Sequence, residues 1–201
     1  MHSTLKEKID NHMKGVYIFL ADGFEDIEAL GTNDVLRRGG VQTCLVGIGD
    51  EPFVMSSKGV AVGVDLMLSE LDTDHAGTSE EDVMIFPGGM PGTRNLADCK
   101  PLMKLMQEHY DAGGSLAAIC AAPGFVLSKL EGIEGVRFTC YDGCGEAAVA
   151  AGGLFDPQPA VTHGRIITGR GPGYALEFGL ELLRKLRPEK VEQTAFGLFL
   201  R

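Results

Sequence analysis

The stretch SLAAICAAPGFVLSKL, residues 115–130, places a thiol at Cys120 where an apolar run gives way to a helical pattern. SLAAIC reads as a strand, and AAPGFVLSKL as the helix after it, with Pro123 acceptable in a first turn. A sulfur so placed lies near the amino end of a helix, where unpaired N–H groups and the helix dipole favour a thiolate. The small neighbours Ala117, Ala118, Ala121 and Ala122 keep the turn tight and hold the nucleophile up for attack, as the elbow of hydrolases does. Two other segments bring unusual residues to strand ends: ADGFEDIEA (21–29) and FPGGMPG (86–92). Gly88 and Gly89 present backbone amides without side-chain obstruction, so the amides of Gly89 and Ala121 together form a candidate oxyanion site. A cysteine in an alanine-rich strand is, by itself, a small core residue. Three such segments converging on one sheet edge point to chemistry instead.

The elements that must position these residues alternate along the chain. GVYIFLA (15–21) predicts a strand buried on both faces, and EDIEALGTNDVLRRGG (25–40) a helix closed by glycines. VQTCLVGIG (41–49) is strand-like again. PFVMSSKGVAVGVDLML (52–68) alternates with period two around a Ser-Ser-Lys-Gly turn, which predicts a hairpin. DVMIFPGG (82–89) is a buried strand, and PLMKLMQEHYDAGG (101–114) an amphipathic, glycine-stopped helix. GRIITGRGPG (164–173) is a strand leading into the helix YALEFGLELLRKL (174–186), and PEKVEQTAFGLFL (188–200) predicts a last short helix. Strands alternating with helices make an α/β sandwich with a mostly parallel sheet covered on both faces. Residues 70–81 are the one long polar loop; His75 lies in it and His163 in a hairpin turn, and both read as surface histidines.

The chain of 201 residues is long enough for one domain with its own core, and 44% hydrophobic residues is an ordinary globular composition. A net charge of −10 argues against nucleic acid or an anionic membrane as the main partner. No apolar run reaches the roughly eighteen residues of a membrane span. The polar start MHSTLKEKIDNH lacks the apolar core of a signal peptide, which makes the cytoplasm the default location. The five cysteines are an odd number with no C-x-x-C and no histidines at zinc-site spacing, so reduced thiols are expected and no metal site.

FLADGFEDIEAL, VMIFPGGMPG, AAICAAPG, and TGRGPG with LEFGLEL together resemble the ThiJ/PfpI superfamily (class I glutamine amidotransferase-like). Within it they are similar to the clade of the parkinsonism-associated deglycase. The resemblance runs from residue 14 to about 200, which leaves residues 1–13 as an N-terminal extension expected to be flexible and 14–201 as a single domain. It implies a flavodoxin-like three-layer sandwich and a homodimer. Cys120 would be the elbow cysteine, Glu28 would share a proton with its sulfur, and Gly89 and Ala121 would lend backbone amides. A carboxyl beside a thiol in a half-buried pocket should have a raised pKa. Glu25 would be a first-turn carboxylate near the helix dipole.

Two departures from the family pattern bear on activity. Protease-type relatives carry a histidine directly after the nucleophile, whereas this chain has Ala121, which argues against peptidase activity. Many members of the clade carry a histidine near the cysteine on the loop after Phe-Thr. Tyr141 stands there by count, or Cys140 if the register shifts by one; either can hydrogen-bond a substrate oxygen, and neither is a ready base. Cys140 and Cys144 are candidate resolving thiols for an oxidised Cys120. Arg38 and Lys58, with Gly88, resemble binding positions, the two basic residues partly across the dimer.

The implied activity is that of a cofactor-free glyoxalase or deglycase. Methylglyoxal, glyoxal or early glycation adducts would be the substrates, and 2-hydroxy acids the products. The alternative is a redox-sensing or chaperone-like dimer that uses oxidation of Cys120 without significant turnover.

Overall fold

The computed structural model describes residues 13–200. Residues 1–12 of the extension expected over 1–13 lie outside them, but Met13, assigned to the same extension, is fully buried in the core.

β1 (Val16–Leu20) shows why the molecule is layered. Its successive side chains point to opposite faces, and every one is buried. Val16, Ile18 and Leu20 join one apolar cluster, Tyr17 and Phe19 the other. β2 (Thr43–Gly47), β3 (Phe53–Met55), β4 (Ala61–Gly63), β5 (Leu66–Met67), β6 (Val83–Phe86) and β7 (Ser115–Ile119) follow. β8 (Arg137–Phe138), β9 (Leu154–Phe155), β10 (Ala160–His163) and β11 (Ile166–Gly169) complete the strands. The main sheet has the order β10-β11-β7-β6-β1-β2-β5, parallel throughout except for β10 against β11.

The helices are α1 (Thr32–Arg38), α2 (Gly92–Asp98), α3 (Lys100–Asp111), α4 (Ala122–Phe125), α5 (Glu146–Ala150), α6 (Ala175–Leu186) and α7 (Val191–Gly197). Val35 and Leu36 of α1, Phe178, Leu182 and Leu183 of α6, and Val191 of α7 cover one face of the sheet. Leu96 of α2 and Leu102, Leu105 and Met106 of α3 cover the other. The architecture is a flavodoxin-like three-layer sandwich.

Three sequence expectations need adjustment. The hairpin over 52–68 is confined to β3 and β4, and the chain beyond it enters the main sheet as β5. The helix expected over AAPGFVLSKL closes after Phe125 and continues as a 3₁₀ turn, Leu127–Lys129. The carbonyl of Cys144 presses so close to Gly124 that a Cβ there would lie 1.7 Å from its oxygen. His75 is not a surface histidine: both ring nitrogens are buried without a partner, and its ring sits 5.9 Å from that of buried His109. β8, β9 and α5 form a small unit with its own cluster of Phe138, Cys140 and Ala148.

Sheet order also fixes where a site can form. From β1 the chain passes to β2 on one side, while β6 and β7 lie on the other. The crevice above β1 and β6 is therefore a topological switch point, where ligands bind open α/β sheets. The loops after β1, β6 and β7 meet there.

Candidate active site

Cys120 directly follows β7 with φ 64°, in the left-handed region that costs a non-glycine residue roughly 1–2 kcal/mol. The surrounding backbone holds it there. Its N–H donates to the Gly169 carbonyl at 2.9 Å, and its own carbonyl accepts the Tyr141 N–H at 2.8 Å. The residue is 9% exposed, and the amides of Ala121 and Gly89 donate to its sulfur.

Glu28 lies in a π-helical turn, Ile27–Gly31, immediately before α1. Such a widened turn re-aims a side chain relative to a regular helix. Here it sends a carboxyl that is only 1% exposed inward to Gly88, whose N–H donates to Glu28 Oε2 at 2.8 Å. Oε1 has no partner of its own. Glu28 and Cys120 are hydrogen-bonded side chain to side chain. Glu25 serves the turn instead, its Oε2 accepting the Glu28 N–H at 2.8 Å.

The two glycines are required by this crowding. A Cβ on Gly88 would lie 2.5 Å from Glu28 Oε2 and 2.6 Å from Cys120 Cβ. Gly89 has φ +92°, and a Cβ on it would strike the backbone of Gly23, Phe24 and Glu25.

Electrostatics link the pair. Burial pushes the Glu28 carboxyl up to about 7, against the lowering effect of the Cys120 and Gly88 hydrogen bonds, and the Glu25 charge adds to the rise. The Cys120 thiol is pushed up as well, first by burial and then by Glu28, while the Ala121 and Gly89 amides pull it down. The thiolate expected from a helix amino end is therefore not favoured independently. α4 is a four-residue helix with little dipole, and burial beside a carboxylate outweighs it. A buried site of this kind favours one negative charge, and hence one proton, on the two groups together.

The other sequence candidates are dispersed. Tyr141 is 52% exposed, and its ring packs over Gly171. Cys140 is buried beside Cys144, with its sulfur against Gly145, in the cluster built on Phe138 and Ala148. Cys144 neighbours Cys140 and also packs against the apolar cluster that contains Cys120. Arg38 pairs with Asp34 at 2.7 Å and lines a cavity of about 340 Å³ with Lys190 and Gln193; neither Glu28 nor Cys120 lines it. Lys58 is exposed at the tip of the β3–β4 hairpin. Among the described residues, no group of three or more His, Cys, Asp or Glu is disposed to hold a metal, and no helix is long and apolar enough to cross a membrane.

The sequence reading missed Asp26 and Ser56. Ser56 Oγ donates to Asp26 Oδ1 at 2.7 Å beside the turn that carries Glu28. Three carboxylates in the four residues of EDIE were the available signal, because one turn seldom needs that many.

The sequence model of the DJ-1/PfpI family matches residues 14–185. "Protein DJ-1 homolog B" of Arabidopsis thaliana is 32% identical over 199 residues, 98% of this chain; the chain spans 44% of that protein's length. "Glutathione-independent glyoxalase DJR-1.2" of Caenorhabditis elegans is 35% identical over 167 residues, 83% of this chain and 85% of the nematode protein. The crystal structure of Drosophila melanogaster DJ-1beta superimposes with a TM-score of 0.82 at 31% identity, covering 92% of this chain and 97% of that one.

Proposed function

The chain belongs to the DJ-1/PfpI family, and from that premise we propose that it is a cysteine-dependent, cofactor-free glyoxalase or deglycase. Its substrates would be methylglyoxal, glyoxal or early glycation adducts, and its products 2-hydroxy acids. One observation carries the reading: the buried Glu28 carboxyl, raised to about 7, is hydrogen-bonded to Cys120, whose sulfur accepts the Gly89 and Ala121 amides. The relative named as a glutathione-independent glyoxalase supports it.

In this mechanism the sulfur of Cys120 adds to the aldehyde carbon while the thiol proton passes to the Glu28 carboxylate. The new oxyanion accepts N–H groups of Gly89 and Ala121, and Glu28 returns the proton to it, giving a hemithioacetal. Glu28 next moves a proton from the former aldehyde carbon to the neighbouring carbonyl carbon through an enediol. This leaves a 2-hydroxyacyl thioester on sulfur. Water cleaves the thioester, releases the acid and restores the pair. Removal of a glycation adduct uses the same addition step.

Of the two residues that could stand for the family histidine, exposure favours Tyr141, since Cys140 is 1% exposed and enclosed in its own cluster. Tyr141 and Gly88 would bind substrate. A homodimer belongs to the same proposal. Exposed Ile27, Met55, Val60 and Met90 lie on the segments that meet at the site, and a second copy would cover them and bring Arg38 and Lys58 to bear.

The test is methylglyoxal consumption with lactate detection, without glutathione, for the wild type, Cys120→Ser and Glu28→Gln. Turnover by the wild type with both variants dead supports the reading. A wild type as inert as the variants removes it in favour of the redox sensor.

A further inference from the structure

Asp26 leads into the π-helical turn with helical dihedrals, φ −61° and ψ −51°, and its side chain makes no capping bond. Glu25, one residue earlier, caps the turn. The Asp26 carboxylate faces the β3–β4 hairpin instead, where Oδ1 accepts the Ser56 hydroxyl at 2.7 Å and buried Oδ2 has no partner. A half-buried carboxylate with one buried oxygen unpaired is a poor device for stability, and an unsatisfied group of this kind calls for an explanation.

Ser56 is equally committed. It is 5% exposed, and its Oγ also accepts the N–H groups of Lys58 and Val60, so it ties the hairpin turn together as it grips Asp26. Around it the hairpin is fastened to the loop after β1. Gly23 N donates to the Met55 carbonyl and Ser57 N to the Phe24 carbonyl, both at 2.7 Å, and Met55 N donates to Asp22 Oδ1 at 2.8 Å. That loop runs directly into Glu28.

We propose that the Ser56–Asp26 hydrogen bond is a positioning clamp that holds the π-helical turn open and aims the Glu28 carboxyl at Gly88 and Cys120. Ser56 and Asp26 touch neither substrate nor sulfur; they act through Glu28. Without the clamp, the turn is free to relax toward a regular helix and carry the carboxyl away from the Gly88 amide, toward water. The proposal rests on Cys120 and Glu28 being the reactive pair.

The experiment measures two things on Ser56→Ala, Asp26→Asn and Ser56→Thr, each checked for native circular dichroism. The first is methylglyoxal turnover. Ser56→Ala should lose kcat by between about tenfold and 100-fold with KM little changed, the scale of a slightly misplaced catalytic group. Ser56→Thr, which keeps the hydroxyl, should restore most of it, and combining Ser56→Ala with Asp26→Asn should cost little more than either alone. The second is the pH profile of Cys120 alkylation by iodoacetamide, which needs no turnover. Its first rise should move to lower pH in Ser56→Ala as Glu28 becomes hydrated. A folded Ser56→Ala protein with a wild-type profile and kcat overturns the clamp, and so does a loss confined to melting temperature. If the wild type does not consume methylglyoxal, the function reading fails, while the alkylation profile still decides on the clamp.

Discussion

Cys120 and Cys140 make a controlled comparison within one molecule. Both are buried, burial pushes both thiols up, and each sulfur lies against a glycine that could not carry a Cβ without crowding it. The backbone even links their neighbourhoods, through the Tyr141 N–H on the Cys120 carbonyl. Yet Cys140 sits in the cluster of Phe138, Ala148 and Cys144, and its pKa of about 11 reflects burial first and Cys144 next, with Asp142 raising it and Arg170 lowering it. Cys120 has a strained backbone, a buried carboxyl beside it and two amides directed at its sulfur. Burial makes a packing residue; the groups that answer a change of charge make a reactive one.

The largest effect should separate the two thiols outright. Cys120→Ser and Glu28→Gln should each lower methylglyoxal turnover by at least about 10³-fold, whereas Cys140→Ala should stay within about twofold of wild type. A Cys140 variant as inactive as Cys120→Ser would break the comparison. The two glycines sharpen it. Gly88→Ala drives a methyl into Glu28 and Cys120 and should cost about 100-fold in activity. Gly145→Ala crowds only the Cys140 sulfur and should appear as about 1–3 kcal/mol of lost stability in a denaturant titration, with activity kept.

A smaller effect concerns pH. Burial raises the Glu28 carboxyl to about 7 in the folded protein from the ordinary 4.5, so folding favours its protonated form. That stabilisation is complete below pH 4.5 and is lost as pH rises through 7. Glu28→Gln should therefore be more stable than wild type at pH 8, by on the order of 3 kcal/mol, and gain nothing at pH 4. An equal difference at both pH values would show that the carboxyl is not buried as described.

Much of the layered core was legible because both faces of β1, β6 and β7 are buried, leaving unbroken apolar runs between glycines. The candidate site was legible for another reason: its residues lie in the segments that follow those same strands, so that motif and topology coincide. The unit built from β8, α5 and β9 was not legible. Its strands are two residues long, and neither Arg137–Phe138 nor Leu154–Phe155 contains a period to recognise. Burial of His75 depends on how a polar loop folds over α3, which local composition does not encode. The thiolate expectation failed because it counted the helix dipole, a local property, and not desolvation, which is set by the whole fold. Asp26 looked like one more acid of a first turn until Ser56, thirty residues away, supplied its partner.

The most direct test of the shared proton is the pH dependence of Cys120 alkylation by iodoacetamide, read by peptide mass spectrometry in wild type and Glu28→Gln. The account predicts two rises for the wild type, one near pH 7 as the pair loses its first proton and one at high pH as it loses the second. Glu28→Gln should show a single rise. A wild-type profile with one rise, or a rise near pH 7 that survives in Glu28→Gln, would mean that the thiol and the carboxyl titrate independently, and the catalytic pair would have to be abandoned.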